Sequence, residues 1–248
     1  MDIRETDEWY PNSIFSTREW CSLIGEYKIY GVYKGYEFKG GIIGFPDNDD
    51  FKSGGVLLTP YQGIVGDGFL LRDFLREKYN RTIQIINHWT QNDVRPFLWR
   101  HWNPIIKYTY LITKDSKPDK QARYDIKNTP PLGKITFERF CELYESTFIH
   151  KGLKPPVNNT FLEKLFNTFE CRLFGNETAA TVFITDKDRA YYILGASEGN
   201  SSRVVWDSFQ IILEEFPEID LVGCNDEKIA NFKKGFGGKL TPYLGCTT

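Results

Sequence analysis

The sequence has no C-x-x-C pair, no long apolar run and almost no excess charge of either sign, and each absence removes a class of function. Its five cysteines (Cys21, Cys141, Cys171, Cys224, Cys246) are odd in number and widely scattered. That pattern suits reduced thiols in a cytoplasmic protein rather than a disulfide framework or a zinc site. The longest apolar stretches, such as residues 41–45, fall far short of the roughly 20 residues a helix needs to cross a bilayer. Met1 is followed at once by Asp2, Ile3, Arg4 and Glu5, so no secretory signal is expected. The Asn-x-Ser/Thr triplets at Asn80, Asn158, Asn176 and Asn200 then carry no meaning as glycosylation sites. With 31 Lys and Arg against 33 Asp and Glu, the formal charge of −2 gives no general attraction to DNA or to an acidic membrane. A Walker loop, a dinucleotide fingerprint, a Ser-His-Asp set and a metal-ligand cluster are all missing. His88 and His101 are embedded among tryptophans, which suits packing, and His150 falls at a helix end, where it complements the dipole.

What is present is aromatic. Phe, Trp and Tyr make up 16% of the 248 residues, enough chain for one large domain or two ordinary ones with a well-packed core. Ser16 and Thr17 open a helix over 18–24, and period-two alternation predicts a strand over 27–34 that Gly35 turns into a partner over 36–45. A polar turn is expected at 46–50, a strand at 56–59, an amphipathic helix over 69–79 carrying Leu70, Leu71, Phe74 and Leu75, and strands at 83–86 and 105–112. Residues 116–133 hold Pro118, Pro130 and Pro131 and read as a linker, with a short helix over 120–127 that carries Arg123 and Lys127 on one side. Helices follow over 136–149 and 160–170, strands at 171–174, 179–184 and 190–194, a helix over 201–215, a strand at 221–222, a helix around Ile229 and a last strand over 240–244. The division expected is 1–115, a linker at 116–133, and 134–248.

The end of the chain carries the most information. Leu221 and Val222 read as a buried strand stopping at Gly223. Asn225 is the expected N-cap, with Asp226 and Glu227 in the first turn, Lys233 and Lys234 in the last turn, and Gly235 as a left-handed stop. The run from Asn225 to Gly238, Asn-Asp-Glu-Lys-Ile-Ala-Asn-Phe-Lys-Lys-Gly-Phe-Gly-Gly, resembles the closing motif of FemAB-like transferases. Residues 191–197 (Tyr-Tyr-Ile-Leu-Gly-Ala-Ser) extend the resemblance, and 13–20 and 59–63 extend it more weakly to the first half.

The resemblance implies an α/β (α+β) chain of two GNAT-like halves, with mixed, largely antiparallel sheets flanked by helices. The helix and strand order of the second half agrees with it. It also implies an acyltransferase that moves an aminoacyl or acyl group onto an amine, with a glycopeptide-like cell-envelope precursor or another small molecule as acceptor. The donor would be aminoacyl-tRNA or acyl-CoA, with no tightly bound cofactor, no metal and no DNA partner. Lys233, with Lys234 behind it, is expected to hold the oxyanion. Pro60, Tyr61, Gln62 and Gly63 are expected to line the acceptor groove, Arg123 to clamp an anionic group, and Ser197, Asn225 and Phe232 to contact substrate. Two departures keep other readings open. The turn at 195–202 places Glu198 and Asn200 where a coenzyme A pyrophosphate turn has glycine or a base, and Phe232 stands where many GNAT enzymes have a proton-donating tyrosine. An acyl-CoA-dependent N-acetyltransferase and a non-catalytic binding protein on the same fold are the alternatives.

Overall fold

The computed structural model describes residues 1–66, 69–91 and 93–248. The chain divides into two compact units, one made of residues 1–107 with 242–248 and the other of residues 108–241. In chain order the elements are β1 (Asp2–Glu5), α1 (Arg18–Ile24), β2 (Lys28–Lys34), β3 (Glu37–Asp47), β4 (Asp50–Ser53), β5 (Ile64–Gly66), α2 (Phe69–Lys78), β6 (Ile83–Ile86), α3 (Arg95–Leu98), β7 (Asn103–Thr113), α4 (Lys120–Asn128), α5 (Phe137–Ile149), α6 (Asn159–Thr168), β8 (Cys171–Gly175), β9 (Ala179–Thr185), β10 (Ala190–Ser197), α7 (Ser202–Glu215), β11 (Glu218–Asp220), α8 (Glu227–Lys234) and β12 (Lys239–Thr247). The boundary between the units falls inside β7 and inside β12. The segment 116–133, read from sequence as a linker, therefore belongs to the second unit, and the last seven residues belong to the first.

In the first unit, β1 to β4 are joined by antiparallel pairings, β4 runs parallel to β6, and β6 pairs antiparallel with the end of β12. Leu71 and Leu75, four apart on α2, share a core with Tyr30, Val32, Ile42, Phe51, Ile83 and Ile85. The polar turn expected at 46–50 is present and tight: β3 continues to Asp47, the chain turns at Asn48 (φ 51°) and Asp49, and it returns as β4. One sequence expectation fails here. Residues 56–59 form a tight turn instead of a strand: Thr59 N–H donates to Val56 O at 2.9 Å, Gly55 N–H donates to Thr59 O at 2.7 Å, and Leu58 has φ 49°. Four residues between Gly54-Gly55 and Pro60, three of them apolar, are too few to sustain a ladder. The short elements β1, β5 and α3 left no periodicity that marks them.

In the second unit, β7, β11, β10, β9 and β8 follow one another in that order; only the β11–β10 pair is parallel. Helix α7 buries Val205, Phe209, Ile212 and Leu213, spaced for one helical stripe, against Ile112, Phe183, Ile219 and Phe236. Thr136 and Asn158 cap α5 and α6 through side-chain oxygens, as their residue types predict. No helix of the described residues is long and apolar enough to cross a membrane.

Four of the five thiols lie buried and Cys171 half-buried. Burial pushes Cys21, Cys171 and Cys246 up to about 12 and Cys141 up to about 11. Native protein at pH 8 is expected to react with a disulfide reagent at least about 100-fold more slowly than protein in denaturant, since both thiolate fraction and access fall. Timed thiol titration checks this; rapid native modification of any one of these four thiols would contradict it.

Candidate functional site

The distinctive local geometry of the second unit is the way β10 and β11 part. Their parallel pairing matches only Ala190 with Ile219 and Tyr191 with Asp220. Beyond this, β10 bulges between Tyr192 and Leu194 and continues to Ser197 on β9 alone, while the chain after β11 stays with β7. Leu221 N–H donates to Tyr110 O at 3.0 Å and Cys224 N–H to Tyr108 O at 2.8 Å. Among the described residues, the edge of β10 from 192 to 197 thus has no strand on its β11 side. A wedge opens there along 192–196, and at its far end the Ser197 N–H is already taken by Thr147 Oγ1.

The chain leaves β11 through a backbone that only a specific set of contacts can hold. Val222 has φ 50°, a left-handed conformation that strongly disfavours a β-branched residue, and Gly223 follows at φ 75°. The fully buried Asp220 carboxylate accepts from Val222 N–H at 2.8 Å and from the Thr109 hydroxyl at 2.5 Å through the same oxygen. The turn directs the carbonyls of Leu221, Val222 and Gly223 at Lys233. Its ammonium donates to all three, to Gly223 O at 2.6 Å, to Val222 O at 3.1 Å and to Leu221 O in a short contact. Lys233 is 8% exposed and lies 5.9 Å from the centre of the Tyr192 ring. Desolvation pulls its pKa down to about 8, against the opposing pull of Asp220 and the Cys224 thiol. Tyr192 itself lies over Gly195, where a Cβ would stand 2.2 Å from the tyrosine hydroxyl oxygen.

This arrangement corrects the role expected for Lys233. An ammonium has three N–H donors, and here backbone carbonyls take all of them, leaving none for an oxyanion. Lys234 is exposed on the next helix position. The caps of α8 shift as well: Asp226, not Asn225, accepts from Lys228 and Ile229 N–H at 3.0 and 3.1 Å. Asn225 instead fastens the turn to β7, its Oδ1 accepting from Tyr108 N–H at 2.9 Å. Gly235 is right-handed (φ −56°), and the left-handed residue is Gly237 (φ 75°).

Other expected site residues fall at different distances from this turn. Phe232, exposed on α8, packs edge-on against Phe236 in the turn that follows the helix. Arg123 lies on α4, whose start is tied to the end of α8 by Asp119 N–H donating to Gly235 O at 2.9 Å; the Arg123 Nε donates to Asp119 O at 3.3 Å. Ser197 sits at the far end of β10, its N–H donating to Thr147 Oγ1 at 2.9 Å.

Pro60, Tyr61, Gln62 and Gly63 belong to the first unit, and there the acceptor-groove expectation meets a closed interior. Tyr61 is fully buried against Phe15, His88 and Tyr243. Gln62, equally buried, accepts from Gly54 N–H at 2.9 Å and donates to Phe15 O at 2.9 Å and to the Cys21 sulfur at 3.1 Å. Gly63 has φ 78° and runs so close to Asn87 that a Cβ would stand 2.5 Å from its Cα. Pro60 is half-buried. These side chains hold the interior of the unit together and offer little surface to a ligand.

The N-terminus of α7 is the place where a GNAT fold would seat a pyrophosphate, and the residues present do not fit one. Ser202 N–H donates to Asn200 Oδ1 at 2.9 Å and Arg203 N–H to Thr129 Oγ1 at 3.2 Å, so amides that a phosphate needs are already bonded. Glu198, in the same turn, pairs with Arg139 at 3.3 Å and adds a negative charge.

No family model and no curated protein matches this sequence. Solved structures do resemble its fold. FemX aligns over 94% of this chain and 92% of its own, at 10% identity and a TM-score of 0.66. The C-terminal domain of a putative lysylphosphatidylglycerol synthetase from Agrobacterium fabrum aligns over 90% and 84%, at 12% identity and a TM-score of 0.60. A GCN5-related N-acetyltransferase from Sphaerobacter thermophilus aligns over 90% and 80%, at 11% identity and 0.57. The chain has a FemAB-like tandem GNAT fold.

Several residues that build the wedge of this GNAT-fold chain escaped the sequence reading. Thr109 carried no signal, since strand propensity explains it, and Tyr192 falls in the resembling run 191–197 without a role of its own. Asp220 did carry one: a carboxylate between Ile219 and Leu221, inside an apolar run, must have partners when buried.

Proposed function

We propose that this protein transfers an acyl group from an activated ester to an amine, and that the group is an aminoacyl one. The observation that supports this is the wedge, where the β10–β11 pairing stops after Tyr191 and Asp220. In this reading the donor carbonyl lies at the open edge of β10, whose N–H groups take up the negative charge that forms as the amine attacks. The C–N bond forms, the ester C–O bond breaks, and the proton lost by the attacking amine passes to the leaving oxygen. Lys233 acts by holding the turn 221–223 away from β10 and so keeping the wedge open. The bonded amides at the start of α7 and the Glu198 charge favour an aminoacyl ester, such as charged tRNA, over acyl-CoA. The fold shared with FemX and a putative lysylphosphatidylglycerol synthetase domain is consistent with this reading, and the FemAB-like closing motif implies a cytoplasmic enzyme acting on an envelope precursor with a free amine.

The test supplies labelled aminoacyl-tRNA or labelled acetyl-CoA with glycopeptide amines as acceptors. Product from the aminoacyl donor, together with an unchanged melting temperature in millimolar coenzyme A, is the expected result. Transfer from acetyl-CoA with a raised melting temperature would make the protein an N-acyltransferase. If neither donor yields product, the transferase reading fails and a binding role on this fold takes its place.

A further inference from the structure

We infer that Asp220 is the positioning residue of the wedge: bridging Thr109 and Val222, it holds the left-handed turn whose carbonyls seat Lys233. The inference deepens the proposed function, because it concerns the same opening between β10 and β11. Three observations carry it. The carboxylate is wholly buried, where an ionised group persists only if its surroundings compensate it. One of its oxygens accepts from both the Thr109 hydroxyl on β7 and the Val222 amide, joining the strand to the turn. Val222 occupies a backbone conformation that a β-branched residue takes only when contacts over-determine it, and the Asp220 bond is made to that same residue.

The consequence is directional. If the bridge to Val222 is lost, the turn can relax to negative φ, and its carbonyls no longer converge on Lys233. The ammonium then has a buried stem and no full set of acceptors. Asp220 also supplies the negative charge that opposes desolvation of Lys233. The other titratable groups near this lysine among the described residues are the Cys224 thiol beyond the turn, the Tyr192 phenol on β10 and, next to Cys224, Tyr110 on β7; Asp220 is the carboxylate among them.

Asp220→Asn keeps an oxygen for Val222 N–H and removes the charge, whereas Thr109→Val keeps the charge and removes the hydroxyl anchor. The two readouts are the protonation midpoint of Lys233, followed through its side-chain carbon resonances in lysine-labelled protein, and hydrogen exchange at Val222 N–H. Asp220→Asn is expected to lower the Lys233 midpoint, and Thr109→Val to speed Val222 exchange at least about tenfold while leaving exchange in β9 unchanged. A purely structural role of Asp220 would speed exchange throughout the unit and leave the Lys233 midpoint where it is. Unchanged Lys233 and Val222 signals in Thr109→Val would overturn the inference even if Asp220→Asn fails to fold. Neither readout involves acyl transfer. An inactive wild-type protein with these shifts sinks the transferase reading alone, and an active one without them sinks the positioning role alone.

Discussion

Lys233→Met is expected to destabilise the protein by about 3 kcal/mol and to abolish most of any transfer activity. Hydrogen bonds to a charged group contribute roughly 1.5–3 kcal/mol each, but the three here do not add. Val222 and Gly223 are half-buried, so water can replace the lysine at their carbonyls, while Leu221 is fully buried and its carbonyl is left without a donor. Methionine keeps the stem of the side chain, so little cavity term enters. A lysine acting only on an oxyanion would show the opposite split, with turnover falling about 100-fold and stability unchanged. Urea melts beside initial rates separate the two.

The pH dependence of the same pair gives a signed check. The Lys233 pKa is lowered on folding, from 10.5 to about 8. Below pH 8 both folded and unfolded chains hold the proton and the slope is zero. Between about 8 and 10.5 the unfolded chain holds more protons, so stability rises with pH through this residue. Wild type should therefore gain on Lys233→Met across that window, by up to about 3 kcal/mol at its upper end. The raised thiols act in the other direction above pH 9 in both proteins, so only the difference between wild type and variant is diagnostic. A difference that stays flat from pH 7 to 10.5 would show that Lys233 is not desolvated.

Gln62→Leu is the second large effect, again about 3 kcal/mol. The leucine fills similar space but leaves the Gly54 N–H and the Phe15 carbonyl without the partner that Gln62 supplies in a closed interior, each costing roughly 1–3 kcal/mol. If Gln62 instead oriented an acceptor, the substitution would raise KM for that acceptor and leave the melting curve in place. Thermal unfolding with acceptor titration distinguishes these outcomes, and the burial of Tyr61 and Gln62 predicts the first.

How far the sequence reaches can be judged from particular residues. Helix α5 was legible because Thr136 caps it locally, and the Asn158 cap of α6 and the stripe Val205, Phe209 and Ile212 of α7 also act within a few turns of chain. The strands β8, β9 and β10 were legible because turn residues bound them at regular intervals. Elements of three or four residues, such as β1, β5 and α3, hold too little periodicity to read. The strand expected at Leu221 and Val222 was displaced to Glu218–Asp220 because the Asp220 side chain competes for the Val222 amide and bends the chain away. Asn225 and Gly235 had the right residue types for caps, yet Tyr108, distant in sequence, claims the side chain of Asn225, and the left-handed position falls at Gly237.

The sequence by itself determined most of the helices and strands of the second half and that its final helix carries two lysines in the last turn, since these follow from local periodicity and capping, while the FemAB-like fold was an implication of the resemblance of its closing motif. Tertiary structure alone decided that Lys233 points inward to three carbonyls, that Tyr61 and Gln62 belong to an interior, and that Thr129 occupies an amide at the head of α7. Those outcomes depend on which distant group reaches a donor or acceptor first, and a buried polar atom takes the partner that packing brings to it.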